Sequence, residues 1–312
     1  MKINKWDKDS WDTFVNVSPQ GTVFCKSFYL KSYNQPVKYL RCFQGEETIA
    51  GFAFTESSKR IKLMPYQAYR GIIFKDLSNL RNYRRNLIVF NALECFGKYL
   101  FSHYQKVEFN NHWDIVDMRP FDWINYHQRE KGYYKISIRY TSLLDISKAG
   151  NTSGYARLRT RDLNKNNDIR FLTKESNDIA LLSSFNEATL KRQGVKRTKE
   201  QTRIFMNICK NLLRAKAGKL LVTEANKKPA MASFFVYDRF RAYHLFAGTD
   251  PSLKKLGVGT KNFYDACVYL NKTLGLKELD MLGINSPKRG GYKLSYGGKI
   301  VPFYQIVKVS RK

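Results

Sequence analysis

Apolar residues alternate with polar ones over Val37–Phe43, Thr48–Phe54 and Ile61–Met64, with a Gln44-Gly45 turn in the first break, which predicts a three-strand meander. A helix-like stretch over Leu80–Phe101 follows, then a short strand at Val107–Phe109. About 180 residues further on the order recurs: strands at Leu220–Thr223, Met231–Tyr237 and Ala242–Ala247, with turns at Asn226–Pro229 and Asp238–Arg241. A helix over Val258–Leu274 comes next, because Phe263, Cys267, Leu270 and Leu274 fall on one face, and Glu278–Leu282 is the strand after it. The recurrence is one of element order without residue identity. It predicts two similar α+β domains in tandem, residues 1–142 and 143–312, with the last strand packing back on the first domain. A basic helix over Ser153–Lys165, with Arg157, Arg161 and Lys165 along one face, is expected to join them.

The chain has 312 residues, 43% of them hydrophobic, with 20 Tyr, 21 Phe and 4 Trp, enough apolar surface for two cores and too much for a disordered chain. The first thirty residues hold no apolar run of the kind an export signal needs, and no stretch approaches the roughly 18 apolar residues that span a bilayer. The five cysteines are scattered and never form a CxxC pair, which argues against a disulfide framework and a zinc site and places the chain in a reducing cytoplasm.

Charge changes this picture more than composition does. The formal net charge is +29, and residues 151–312 carry 32 basic against 12 acidic residues. Between Lys191 and Lys219 there are ten basic residues, Lys191, Arg192, Lys196 and Arg197 among them, and a single acid, Glu200. Such an excess calls for a polyanion: nucleic acid, an anionic membrane surface, or a phosphorylated substrate or carrier. The plain alternative is a solvated surface.

Two segments carry candidate chemistry. Lys254-Lys255-Leu-Gly257-Val-Gly259-Thr260 lies between a strand and a helix, where glycines let backbone N–H groups approach an anion at the helix N-terminus. Downstream, a polar loop with Pro287, Lys288, Arg289, Gly290 and Gly291 leads into Tyr292-Lys293-Leu-Ser-Tyr296-Gly297, where a lysine sheltered between aromatics suits an oxyanion or a phosphate. The alternative readings are an ordinary tight turn and a surface lysine. The four histidines show no ligand spacing, so no metal is expected, and no GxSxG elbow or Walker loop is present.

Several stretches together resemble the FemAB-like aminoacyltransferases. They are Trp6…Phe14…Gly21-Thr-Val-Phe24; Val116-Asp-Met-Arg-Pro-Phe-Asp-Trp-Ile124 with Arg139-Tyr-Thr-Ser-Leu-Leu-Asp145, read as a strand pair closing the first domain; and Ala247-Gly-Thr-Asp250, Leu256-Gly-Val-Gly259, Asp280…Gly283 and Lys293-Leu-Ser-Tyr296-Gly297. The resemblance implies two tandem acetyltransferase-type (GNAT-like) α+β domains, each a mixed, mostly antiparallel sheet flanked by helices. It implies transfer of an activated acyl group to an amine, with aminoacyl-tRNA favoured over acyl-CoA as co-substrate, no bound cofactor, and an amino-sugar or lipid-linked cell-envelope precursor as acceptor, at the inner face of the membrane. It assigns Lys293 to the donor's carbonyl or phosphate. Aminolysis also needs a route for one proton, for which Asp117, Asp280 and Tyr292 are the candidates, although positioning can supply much of the acceleration without a dedicated base. The resemblance puts Lys254, Lys255, Gly257, Gly259 and Thr260 where acetyltransferases hold pyrophosphate, with Lys254 departing from the usual Arg or Gln, and it leaves the basic residues Arg157, Arg161, Lys165, Lys191, Arg192, Lys196 and Arg197 for tRNA. No long helical insertion is read in the second domain. The alternatives are an acyl-CoA-dependent amino-sugar N-acetyltransferase and a non-catalytic nucleic-acid-binding protein on the same core.

Overall fold

The computed structural model describes residues 1–148, 150–165 and 169–310. The chain forms two compact units, Met1–Arg139 with Pro302–Lys312, and Tyr140–Val301. The break therefore falls at Arg139/Tyr140, and the basic helix expected to join the domains lies inside the second unit.

The first unit begins with β1 (Lys2–Lys5) and α1 (Lys8–Val17), the latter started by Asp7, whose carboxylate accepts from the Ser10 N–H at 2.8 Å. After α2 (Ser27–Leu30) come the hairpin β2 (Val37–Gln44) and β3 (Glu47–Ser57), then β4 (Arg60–Ile61) and β5 (Ile73–Phe74). The expected third strand stops at Ile61 because Pro65 lies just ahead, without an N–H and restricting the residue before it. α3 (Asn82–His103) crosses over to β6 (Lys106–Asn110), which pairs parallel with β4. The order is β1-β2-β3-β4-β6, with the end of the last strand pairing antiparallel with β6 through Gln305↔Asn110. Phe52, Phe54, Phe96, Leu100, Phe109 and Phe121 meet in the core. Residues 116–124 are not a strand. Within them Arg119–Asp122 form α4, with Pro120 in its first turn, and just ahead of it the Asp117 carboxylate accepts from the Arg119 N–H.

β7 (Tyr133–Asp145) carries the chain into the second unit. There follow α5 (Arg157–Leu163), β8 (Phe171–Ser176), α6 (Ile179–Arg192), α7 (Lys199–Arg214), β9 (Gly218–Ala225), β10 (Lys228–Tyr237), β11 (Ala242–Thr249), α8 (Val258–Lys272), β12 (Glu278–Asp280), α9 (Pro287–Leu294) and β13 (Lys299–Val309). The order is β7-β12-β11-β10-β9-β8. β9 and β10 turn through Asn226 and Lys227, both at positive φ (48° and 66°), the geometry of a two-residue hairpin. β11 and β12 pair parallel with α8 as the crossover, as β4 and β6 do with α3, so the repeat in element order is also a repeat in strand register.

Two helices that the sequence pattern does not predict, α6 and α7, lead into and run through the basic stretch. Thr198 and Gln201 form a reciprocal capping box that starts α7, and Ile204, Phe205, Ile208 and Leu212 are its buried face. α6 lies against the far end of β11, where Gly248 admits its backbone: a Cβ at that position would meet Phe185 and Asn186 backbone atoms at 2.2 Å. Gly248→Ala is therefore expected to destabilise the protein by about 1–3 kcal/mol, seen as a lower urea midpoint for the second unit. An unchanged midpoint would mean that α6 is not seated as described.

Candidate active site

The site is built on a parting of strands in the second unit. β12 pairs with β11 at two positions only, Ala242↔Leu279 and Tyr243↔Asp280. The Met281 N–H then turns to the carbonyl of Ser142 at 2.9 Å, while β11 runs on to Thr249. At the far end the edge of β11 is closed by α6, since the Asn186 side chain donates to the Ala247 carbonyl at 2.8 Å. A window opens between these points over His244–Phe246. Within it β11 bulges: Phe234 faces Phe246 and Phe235 faces His244, so Leu245 has no opposite residue. A bulge adds twist and leaves a residue's backbone without a ladder partner, a feature frequent beside active sites.

Lys293 stands at the same parting. The segment expected to be a Gly-rich loop is the helix α9, which Pro287 can begin because its missing N–H would have no partner there, and in which Gly290 lies too close to the Ile284 carbonyl for a Cβ (2.6 Å). From this helix the Lys293 ammonium donates to the carbonyls of Met281 and Leu282, the latter at 3.2 Å. Burial pushes its pKa down to about 8, an effect that Asp280 opposes and Arg289 reinforces. Asp280 is fully buried and accepts from the Thr141 hydroxyl and, at 2.8 Å, from the Leu282 N–H, so it shapes the turn after β12.

His244, which sequence reasoning noted only as lacking metal-ligand spacing, is the first residue of the window. Its ring is buried, stacks on Phe235 at 4.8 Å, and among the described residues neither nitrogen has a hydrogen-bond partner. Burial, and then the charge of Lys293, hold its pKa well below the ordinary histidine value, so the imidazole is neutral at pH 7. Its signal in the sequence is a single polar position amid Ala242-Tyr-His-Leu-Phe-Ala247.

Tyr292 and Tyr296 link this parting to the start of α8. Tyr296 donates to the Tyr292 hydroxyl at 2.7 Å, and the Arg159 guanidinium lies 4.9 Å from the Tyr292 ring centre. Burial raises the Tyr292 pKa, which keeps its phenol protonated. Gly257 takes a left-handed φ of 78°, and Gly259 leaves room for the Tyr292 hydroxyl, which a Cβ there would meet at 3.3 Å. Thr260 accepts from Arg159 at 2.8 Å and donates to Asp162 at 3.0 Å. The α8 N-terminus thus already faces a carboxylate and its arginine from α5, while Lys254 and Lys255 are exposed on the preceding turn.

The other sequence candidates are scattered. Asp117 belongs to the first unit, where two hydrogen bonds from the Arg119 guanidinium hold its carboxyl below the usual range. Arg197 is no surface cation, for its side chain is 3% exposed, pairs with Glu187, donates to Ser183 and packs on Phe205. Lys191, Arg192 and Lys196 are exposed, as are Arg157 and Arg161; Lys165 lies beyond the end of α5 and donates to the Lys255 carbonyl. A cavity of about 200 Å³ shares Tyr296 with the site and is otherwise lined by Tyr155, Tyr264, Cys267 and Lys148, among others.

Residues 151–294 match the acetyltransferase (GNAT) domain family. Among solved structures the chain is similar to FemX, with a TM-score of 0.67 at 12% identity over 97% of each chain. It is similar also to a conserved protein of unknown function from Bacteroides thetaiotaomicron (TM-score 0.59, 12% identity, 99% and 100% covered). A third is the C-terminal domain of a putative lysylphosphatidylglycerol synthetase from Agrobacterium fabrum (0.54, 10%, 96% and 90%). These likenesses show a shared fold. No curated protein matches the chain.

The two perturbed bases titrate in predictable windows. Below pH about 8 Lys293 is charged in folded and unfolded chains alike; from there to the ordinary lysine value only the unfolded chain holds the proton, so stability rises with pH. His244 acts at the acid end, where stability falls as pH drops below about 6.5 and the unfolded imidazole charges first. In denaturation midpoints across pH, Lys293→Met is expected to lose the alkaline rise and keep the acid fall. An alkaline rise unaltered in that variant would show that Lys293 keeps an ordinary pKa.

Proposed function

We propose that this chain, an acyltransferase by the GNAT domain that residues 151–294 match, moves an aminoacyl group from aminoacyl-tRNA to an amine of a cell-envelope or surface-polysaccharide precursor. The observation that carries this reading is a half-buried charged lysine and a buried neutral imidazole where β11 and β12 part. In such a site a preorganised charge acts on a developing oxyanion far more strongly than in water.

The reaction is aminolysis. The acceptor's nitrogen bonds to the ester carbonyl carbon, the bond from that carbon to the tRNA 3′ oxygen breaks, and one proton passes from the nitrogen to the leaving oxygen. Holding the amine about 3 Å from the carbonyl supplies much of the acceleration. The Lys293 ammonium and backbone N–H groups of the window stabilise the oxyanion. His244 is the proton carrier that fits, since Asp280 is occupied in its turn, the Tyr292 phenol is protonated, and Asp117 is tied to Arg119.

The tRNA-linked donor is preferred to acyl-CoA on two grounds. Lys191, Arg192 and Lys196 are exposed in the strongly basic half, and a pyrophosphate at Gly257–Thr260 would confront the Asp162 carboxylate. The similar protein from Agrobacterium fabrum bears a name that denotes lysyl transfer to a lipid, which agrees with aminoacyl chemistry on this fold. A place at the inner face of the membrane belongs to the same reading; no described helix is long and apolar enough to cross a bilayer.

Lys293→Met is expected to lower turnover by about 10²-fold or more with the fold intact, measured as single-turnover transfer of labelled amino acid from tRNA. Wild-type rates would remove Lys293 from the site. In parallel titrations, tRNA affinity is expected to drop about 10³-fold or more between 50 and 200 mM salt, as for proteins making many phosphate contacts. Saturable acetyl-CoA binding, with no tRNA binding at low salt, would reverse the choice of donor.

A further inference from the structure

The first unit carries an exposed face that neither the candidate site nor the packing of the unit uses. Along α3, Tyr83, Leu87 and Phe90 recur at i, i+4 and i+7 on one side, Tyr83 being 80% exposed and Leu87 45%. Phe90 meets Trp123 edge to face at 5.4 Å, and Trp123, which follows α4, is 50% exposed. Arg119 lies over both rings, 5.5 Å from Phe90 and 5.6 Å from Trp123. Tyr126, three residues on, is 52% exposed as well, with Arg129 over its ring. Single exposed apolar residues need no explanation, but a contiguous aromatic cluster does.

The charges around it are sorted. Arg119 and Arg129 are matched by Asp117 and Asp122, so those two contribute little net charge. Arg81, Arg84 and Arg85 are different. They stand at the N-terminal end of α3 with no acid in its first turn, and none of them is in an ion pair among the described residues. Three cations at the positive end of a helix dipole repel it and one another, and anions from outside the chain relieve that repulsion.

We infer that this face, centred on Leu87, Phe90 and Trp123 with the Arg81–Arg85 cluster at its edge, docks the protein on an anionic lipid bilayer. Tryptophan and tyrosine favour the headgroup level, aliphatic side chains reach the acyl boundary, and arginines bind lipid phosphates. Single-stranded nucleic acid also takes aromatics and arginines, but it stacks bases on rings and has no use for the aliphatic Leu87 beside them. The inference deepens the membrane side of the proposed function and is independent of the transfer chemistry, since no residue in it belongs to the second unit.

Trp123 is a built-in probe, because Trp11 and Trp113 are buried and Trp6 is partly so. The full chain would be titrated with phosphatidylcholine vesicles with and without phosphatidylglycerol, following tryptophan fluorescence and quenching by brominated acyl chains. The expected result is binding at least about tenfold tighter to the phosphatidylglycerol vesicles, with a blue shift and quenching that Trp123→Phe removes. Leu87→Ser with Trp123→Ser is expected to abolish sedimentation with vesicles, and Arg81→Glu with Arg84→Glu to weaken it by about tenfold or more, while circular dichroism and transfer from tRNA to a soluble amine stay at wild-type levels. No association with either vesicle, equal association with both, or a Trp123 signal answered by tRNA and not by lipid would overturn the inference. Loss of transfer in Lys293→Met with vesicle binding intact would leave it standing, so the two readings fail separately.

Discussion

Much in the second unit follows from how briefly β11 and β12 stay together. Two register pairs join them, and then each strand finds a different partner: Met281 bonds to Ser142, and β11 is met at its far end by Asn186. Backbone groups exposed inside a protein must be satisfied, and here the carbonyls just past β12 are satisfied by Lys293. That arrangement fixes an ammonium at the mouth of the gap. Burial depresses its pKa, and burial together with the Lys293 charge keeps His244 neutral, so the parting holds a cationic acid within electrostatic reach of a neutral imidazole.

The duplicated fold makes the contrast within one chain instructive. In the first unit β4 and β6 also pair parallel at two positions after a helical crossover. There the chain closes over the end of β6. Asn110 donates to the Ala68 carbonyl, Asn111 accepts from the Ile72 N–H, and Gly71 lies so near Asn111 that a Cβ would come within 2.3 Å of its side chain. The same topology therefore yields a filled seam in one unit and a window in the other, and the difference lies in loop residues rather than in the sheet.

The sequence made the fold legible where periodicity is local. The strands around Val37, Thr48, Met231 and Ala242 and the helices around Leu93 and Cys267 are visible from alternation and from i, i+4 spacing, because each buries one face. What stayed hidden has identifiable causes. α7 lay under a run of lysines and arginines whose charge masks its apolar stripe, and α9 contains Gly290 and Gly291, which read as loop until tertiary packing supplies the reason for one of them. Pro120 begins a short helix where a strand was expected. Of the candidate site, the stretches around Lys293 and around Gly257 and Gly259 stand out as motifs in the sequence, whereas His244 does not, since its candidacy comes from the parting of β11 and β12, and parting of strands leaves no mark on either one. Nor does the chain advertise that Arg197 is buried, a property set by Phe205 and Glu187 across a turn.

The central claim is that the donor's reactive end lies in the window between His244 and Phe246, against Lys293. Hydrogen exchange by mass spectrometry, with and without a non-hydrolysable analogue of the aminoacylated 3′ end of tRNA, tests it most directly. Slowed exchange in peptides covering residues 242–247 and 281–294, with the first unit unchanged, is the predicted result. Unaltered exchange in both peptides at saturating analogue, or protection confined to the cavity around Tyr155 and Cys267, would contradict it.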